Sequence, residues 1–388
     1  MNTKYTTTPR RPRSAPRSTP ALRIAAVATV TLALAACGGS PEAQPSDTDT
    51  SPGASPSDSP TSTATAGPTL GGTVTLVTHD SFHVDEDLLA AFEAATGLDV
   101  QQVAPGDGGA LVNQLVLTKG NPLGDVAYGV DNTFASRAVA EGVFAPYTSS
   151  EPAAADAAAF ALPGDDTLTA IDYSDVCLNI DDPWFADAGI TPPTSLADLA
   201  DPTYRDLTVV SGAATSSPGL AFLLATVAEF GEDGWQDYWR SLADNGVKVV
   251  PGWSDAYYTD FTVGGGGERP IVLSYASSPP FTVPEGGDTP TTSALLDTCF
   301  RQVEYAGVLA GAANPAGAEA LIDFLLSAEF QAGIPESMYV YPVSSAVELP
   351  AEWVQWAPLA ESPLSLDSAA IDAGRDGWLR EWSEIVTG

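Results

Sequence analysis

The sequence predicts an α/β protein with a parallel sheet, folded as two lobes with a cleft between them. Three observations lead there. Strand-like and helix-like segments alternate from residue 73 onward, the order that builds parallel sheets. The globular part runs from about residue 71 to 388, longer than one ordinary core accommodates. That part holds no apolar run of about 20 residues, the length that spans a bilayer. Periodicity gives the class and length gives the two lobes; neither locates a hinge.

Residues 1–36 read as an export signal. The first 23 carry six basic residues (Lys4, Arg10, Arg11, Arg13, Arg17, Arg23) and no acid, and an apolar stretch follows from Ile24 to Ala36. It is too short to span a membrane and has the layout of a secretory signal. It closes as Leu34-Ala35-Ala36-Cys37, which resembles the bacterial lipobox. That resemblance implies a lipid on Cys37, anchoring the chain to the cell membrane outside the cytoplasm. Residues 37–70 are mostly Ser, Thr, Pro, Ala, Asp and Gly. Such chain buries too little apolar surface to offset ordering entropy, and its prolines make it a semi-extended tether.

Thr73–Thr78 alternates and is β-branched, a strand. Asp85–Thr96 is a helix with acids in its first turn and Gly97 as its stop. Leu98–Ala104 is a second strand, and Asp107 caps a helix that continues through Gly108 to Leu115. Asp125–Val130 is a third strand and Thr133–Glu141 a third helix. A second unit begins near Asp175. Its elements are a strand at Thr208–Ser211, an apolar helix at Leu220–Phe230 introduced by Ser216-Ser217-Pro218-Gly219, and an amphipathic helix at Gly234–Leu242. A short strand at Val247–Pro251, a helix opening at Trp253 and a strand at Ile271–Tyr275 follow. Glu304–Leu309 reads as a return strand, Asn314–Gln331 as one helix with Pro315 in its first turn, and Arg375–Val386 as a terminal helix. The expected divisions are lobe 1 at 71–172, lobe 2 at 173–302, and a return to lobe 1 at 303–388.

Charge narrows the partners. The formal net charge is −35, and removing the six basic residues ahead of Cys37 takes it to −41. That argues against nucleic acid and anionic membrane surfaces, and is compatible with a cationic ligand. With Cys37 acylated, Cys177 and Cys299 remain, an even pair in an oxidising compartment that predicts a disulfide. The alternative is two buried thiols. The two histidines, His79 and His83, and the cysteines show no metal-site spacing.

In parallel sheets ligands bind where strands give way to helices. Several short segments sit at such junctions: Asp80-Ser81-Phe82, Asp107-Gly108, Val130-Asp131-Asn132 and Ser217-Pro218-Gly219-Leu220. Gly252-Trp253-Ser254-Asp255-Ala256-Tyr257, Leu273-Ser274-Tyr275 with Ser278-Pro279, Gln302-Val303-Glu304 and Tyr341-Pro342-Val343 continue the series. In this order, from Thr73 to about Val386, the chain resembles the bacterial thiamine-binding solute-binding proteins of ABC importers. The resemblance implies a periplasmic-binding-protein-like fold of type II, two lobes closing on the ligand, and no catalysis. It implies a monomer that delivers thiamine, or a phosphate ester of it, to a permease and its ATPase, with no cofactor.

It also implies ligand contacts at Asp107 and Gly108, at Ser216 and Ser217, at Trp253, and along Tyr275, Ala276, Ser277, Ser278 and Pro279. Thiamine offers an aminopyrimidine and a cationic thiazolium, so a pocket needs a carboxylate, aromatic faces and hydrogen-bond donors. Asp107 supplies the carboxylate, alongside or instead of a capping role. Ser216 and Ser217 start a helix, where unpaired N–H groups suit phosphate or another acceptor, or where serine only caps. Trp253 and Tyr275 offer ring faces, or core packing. Two positions depart from the pattern: His79 stands where relatives can carry Tyr, and Tyr339 where they can carry Trp. Both can stack on a ring.

Two rival readings remain at this stage. Tyr257-Tyr258 are adjacent phenols, the hard ligands of a ferric-ion-binding protein of similar architecture. The other is an exported hydrolase, against which no G-x-S-x-G elbow is present and both histidines, His79 and His83, sit in one short stretch.

Overall fold

The structure is a computed structural model that describes residues 70–388. The expected export signal, Cys37 and the tether up to residue 69 lie outside the described residues. Among the described residues no helix is long and apolar enough to cross a membrane.

Strict alternation builds the first part: β1 (Gly72–Thr78), α1 (Glu86–Thr96), β2 (Leu98–Val103), α2 (Gly108–Thr118), β3 (Val126–Asp131) and α3 (Ala135–Ala140). Local signals set these bounds. The Asp85 carboxylate accepts from Leu88 N–H at the start of α1, and Gly97 ends the helix at φ 74°, a left-handed conformation that costs glycine little. Short β4 (Phe144–Ala145) and α4 (Ala153–Ala157) lead into the long β5 (Thr169–Asp181), which runs on into α5 (Asp182–Ala188).

The second part contains β6 (Thr208–Ser211), α6 (Ser217–Phe230), α7 (Trp235–Asp244), β7 (Lys248–Val250), α8 (Trp253–Asp255), β8 (Ile271–Tyr275) and a second long strand, β9 (Thr292–Leu309). The chain closes with α9 (Pro315–Leu325), α10 (Ala328–Ser337), β10 (Tyr341–Pro342), α11 (Ala351–Trp356) and α12 (Ser368–Thr387).

The strands join in one sheet in the order β2-β1-β3-β9-β5-β8-β6-β7. β1, β2 and β3 are parallel, as are β6, β7 and β8. These two parallel groups form the two halves of the molecule. β5 and β9 run antiparallel between them, and each strand serves both halves. The expected divisions at 172/173 and 302/303 fall inside these two strands.

The β5–β9 ladder is interrupted where Val176 pairs Phe300 and Leu178 pairs Leu295. Four residues of β9, Leu296 to Cys299, there face Cys177 alone, an irregular bulge larger than the usual two against one. A disulfide joins Cys177 to Cys299, and Thr298 Oγ1 accepts from Leu178 N–H. The bulge is thus fastened to the strand it faces.

Burial follows from the layers. The stretch Ser217–Val227 of α6 is buried throughout, because the helix lies between the sheet and α7. Phe222 and Trp382 each meet Trp239 edge-on, and Trp239 Nε1 donates to Thr226 Oγ1 at 2.9 Å. α12 touches both halves. Its Trp382 packs on α7, while the buried Arg375 donates to Ser136 Oγ of α3 at 2.9 Å.

The structure differs from the sequence expectations in several places: the short helices α4, α5 and α11 are not among them, and the terminal helix expected at Arg375–Val386 begins at Ser368. β5 likewise has no counterpart among them. The return strand expected at Glu304–Leu309 begins twelve residues earlier, at Thr292. The helix expected over Asn314–Gln331 is two, because Ser327 Oγ accepts from Phe330 N–H and starts α10 afresh.

Candidate functional site

A cavity of about 700 Å³ opens at the carboxyl ends of the strands, within the range of small-molecule sites. Five of its side chains reach it by the same route. β1 ends at Thr78 and delivers His79; β2 ends at Val103 ahead of Asp107; β6 leads to Ser217, β7 to Trp253, and β8 ends on Tyr275.

Asp107 is the joint between the halves. Its Oδ1 accepts from Gly108 N–H at 2.6 Å and from Ser217 N–H at 3.2 Å, and its Oδ2 accepts from Trp253 N–H at 2.9 Å. The last two donors belong to the opposite half. Burial raises the carboxyl's pKa, and hydrogen bonds led by that from Trp253 work against the rise.

Two further bonds cross at the same place. Ala110 N–H donates to Thr215 O at 3.0 Å, and the Ser81 and Ser254 hydroxyls lie 3.2 Å apart. The chains pass so closely here that glycine is required. A Cβ on Gly109 would sit 2.7 Å from the Thr215 carbonyl carbon, and one on Gly108 would overlap Ser217 Oγ.

The start of α6 has no spare backbone donor. Ser217 N–H binds Asp107, Pro218 has none, and Gly219 and Leu220 N–H bond to Ser216 Oγ and O. The anion at this helix terminus is Asp107 itself.

The wall contributed by the second half is aromatic. The Trp253 ring stacks on Tyr257 with centroids 5.1 Å apart and meets Tyr258 edge-on at 5.3 Å; Tyr275 lies at 6.2 Å. Trp253 Nε1 donates to Ser274 Oγ at 2.9 Å, and that hydroxyl lies 2.8 Å from Ser278 Oγ. The indole is therefore held from behind. Burial, then Tyr258 and Tyr339, push the Tyr257 hydroxyl up to about 12.

Opposite, Tyr339 and Phe281 pack at 4.1 Å. Tyr339 holds φ at 60°, a conformation costing a non-glycine residue about 1–3 kcal/mol. Its carbonyl accepts from Ser277 Oγ at 2.6 Å. Strain of this kind persists where the surroundings fix it, and here it turns the ring to the cavity.

The floor is a buried ionisable cluster. His79 Nε2 stands 3.6 Å from Glu304 Oε1, an ion-pair distance beyond hydrogen-bond reach. Tyr128 hydroxyl donates to Asp172 and lies 3.3 Å from Glu304 Oε2. Burial drives Asp172 well up, with Glu304's charge adding to it, so Asp172 is the neutral acid of the pair. Burial likewise opposes charge on Glu304, yet His79 beside it, with hydrogen bonds from Asp172 and Tyr128, brings its pKa below the ordinary value.

Burial also opposes charge on His79. The Glu304 carboxylate, followed by Asp107 and Asp80, outweighs it and raises the imidazole's pKa. Ser81 N–H donates to His79 Nδ1 at 3.2 Å, a bond the imidazolium must give up. The nearby acids shift the balance towards the charged pair despite burial.

Of the twelve expected contacts, eight line the cavity: His79, Asp107, Gly108, Ser217, Trp253, Tyr275, Ser278 and Tyr339. The other four do not. Ser216, Ala276, Ser277 and Pro279 are buried behind it, where Ser216 caps α6 and Ser277 holds the Tyr339 carbonyl. Tyr257 and Tyr258 line it too, Tyr258 being half exposed. Among the described residues no group of three or more His, Cys, Asp or Glu is placed to hold a metal ion. Glu304, Met338 and Phe281 line the cavity without having been expected there. Of these only Glu304 left a trace in the sequence, as the last residue of the Gln302-Val303-Glu304 segment that carries the resemblance.

Two α/β halves joined through two shared strands, with a cavity between them, define a binding protein of the two-lobe class. The pattern of the bacterial extracellular solute-binding protein family matches residues 121–360, and the chain belongs to that family. It is 32% identical over 322 residues to the thiamine-binding periplasmic protein of Escherichia coli strain K12, covering 81% of this chain and 93% of that one. The solved structure of a periplasmic thiamin binding protein matches with a TM-score of 0.70 and 30% identity, over 81% of this chain and 96% of that one. A Bordetella ferric binding protein, 22% identical, matches with a TM-score of 0.56 over 81% and 98%, a likeness of fold alone.

Proposed function

We propose that this chain is the extracytoplasmic component of an ABC importer that captures thiamine between two lobes and hands it to a membrane permease. The supporting observation is the cavity's division of labour. One wall offers the faces of Trp253, Tyr257, Tyr258 and Tyr275, and the floor and opposite side offer the carboxylates of Asp107 and Glu304. A flat ring with a positive charge satisfies both, since aromatic faces and carboxylates each attract cations. The names of the relatives point the same way.

Free thiamine is the better fit than its phosphate esters at the start of α6, because Asp107 already occupies that terminus. Eight cavity residues are the proposed contacts, with Ser216, Ala276, Ser277 and Pro279 supporting them from behind. Lobe 1 comprises 71–172 with 303–388, lobe 2 comprises 173–302, and the hinge is the shared pair β5 and β9. The chain works as a monomer, held to the membrane by acylated Cys37 on the 37–70 tether.

A thermal-shift panel of thiamine, its mono- and diphosphate, hydroxymethylpyrimidine and ferric ion tests the ligand. Ligand that binds the folded state raises Tm, and thiamine should raise it most. A ferric-dependent colour with no thiamine shift would overturn the reading in favour of an iron site at Tyr257 and Tyr258. Cys37→Ser should release the protein from membranes into the soluble fraction; retention would remove the anchor.

A further inference from the structure

His79 Nε2 and Ser217 Oγ are the two buried side-chain atoms among the described residues that lack a hydrogen-bond partner and belong to residues lining the cavity. The first stands beside a buried carboxylate. We propose that His79 and Glu304 form a charge-exchange floor: a proton held by the pair balances Glu304, and it leaves when a cationic ligand supplies the positive charge instead. This rests on the thiamine reading and adds its regulation, because capture of a cation then releases a proton.

The geometry supports each part. Glu304 and His79 both line the cavity and both are about nine-tenths buried, so an unbalanced charge there is costly. Asp172 is the neutral acid and, like the Tyr128 hydroxyl, only hydrogen-bonds to Glu304, so neither balances that carboxylate's charge. Asp172 lies deeper and takes no part in lining the cavity, which leaves Glu304 as the charge that faces inward.

The groups facing His79 from every side are Glu304 on β9, Asp107 ahead of α2, Asp80 beside it, and the Tyr128 ring on β3 at 5.6 Å. Its own backbone neighbour Ser81 donates to Nδ1. All the charged groups in this set are acids. Their sum favours a resident proton in the free protein, and a bound cation reverses that preference.

The sign follows from linkage. The imidazole pKa is raised in the free protein and falls when a cation binds beside it. Cation affinity therefore climbs with pH through the raised imidazole range and levels off above it. The limiting slope is about tenfold per pH unit for one proton. A neutral aminopyrimidine leaves the floor's proton in place and binds with no such slope.

The test is calorimetry of the full chain with thiamine between about pH 6 and 8.5, each pH run in two buffers of different ionisation heat. Hydroxymethylpyrimidine serves as the neutral control. The expected result is release of up to one proton per thiamine, none with the control, and no release in His79→Gln. Thiamine binding with buffer-independent heats across the range overturns this inference and leaves the thiamine reading standing. Equal proton release by the neutral control also overturns it, because the ligand's charge would then not be the cause. Absence of any thiamine binding overturns both. The wild-type measurements decide without the variant, should His79→Gln fold poorly.

Discussion

The two sides of the cleft do different work with different chemistry. The second half presents rings, with Trp253, Tyr257 and Tyr258 within about 5.4 Å of one another and the indole braced by Ser274. The first half presents acids and histidines, Asp107, Asp80, Glu304, His79 and His83, with one phenol ring, Tyr339. Rings alone would hold many flat molecules, and acids alone would hold many cations. Selectivity requires the sides together, and Asp107 is where they meet.

Asp107→Ala should break the comparison most severely. It removes one carboxylate and leaves Ser217 and Trp253 N–H without their acceptor. Hydrogen bonds to charged groups contribute about 1.5–3 kcal/mol each, so thiamine affinity should fall roughly a hundredfold by calorimetry, with the circular dichroism spectrum unchanged. Unaltered affinity would mean that the joint is not part of capture. Trp253→Ala comes next. Loss of a ring beside a cation costs about 0.5–2 kcal/mol, and about tenfold weaker binding is expected, with Trp253→Phe keeping most of it.

The close approach of the halves can be probed with one methyl group. Gly109→Ala drives a Cβ against the Thr215 backbone, whereas Gly108→Ala meets the rotatable Ser217 hydroxyl. The first should weaken binding several-fold more than the second. Equal effects would show that the halves need not touch here.

The smallest effect sharpens the acidic side. Asp131, behind the cleft at the end of β3, is raised to about 7 by burial, despite hydrogen bonds from Thr133 and Phe134. A carboxyl with a raised folded pKa contributes stability that is complete below its ordinary value of 3.8 and lost as pH rises to about 7. Asp131→Asn does not titrate. Its stability in urea should gain on the wild type between those limits and run parallel above them; parallel curves throughout would remove the shift.

Much of this was legible in the sequence because it is locally encoded. Asp85 and Gly97 bracket α1, and Ser216 with Pro218 announces α6. The alternation around residues 73–142 gave parallel strands, and parallel strands gave the end of the sheet where eight of the expected contacts lie. β5 was not legible. Its Asp172, Ser174, Asp175 and Asn179 are polar yet buried, and their main partners lie far away in the chain. Asp175 pairs with Arg301, and Asp172 with Tyr128. Such a strand has neither alternation nor an apolar run. The role of Glu304 was hidden for the same reason, since its partners His79 and Tyr128 lie more than 170 residues earlier. Ser327 was passed over because serine inside an apolar run looks like an ordinary helical residue until its hydroxyl caps the next segment.

The sharing of β9 has a consequence for how the molecule is made. β3 is buried along its whole length and pairs on one side with β1 and on the other with β9. A chain emerging amino-terminus first exposes Val126–Asp131 long before Thr292–Leu309 arrives. An unpaired apolar edge is an aggregation hazard. Neither half can complete its sheet from early residues, so secretion of this protein demands that some 170 residues stay open until the last long strand closes both halves at once.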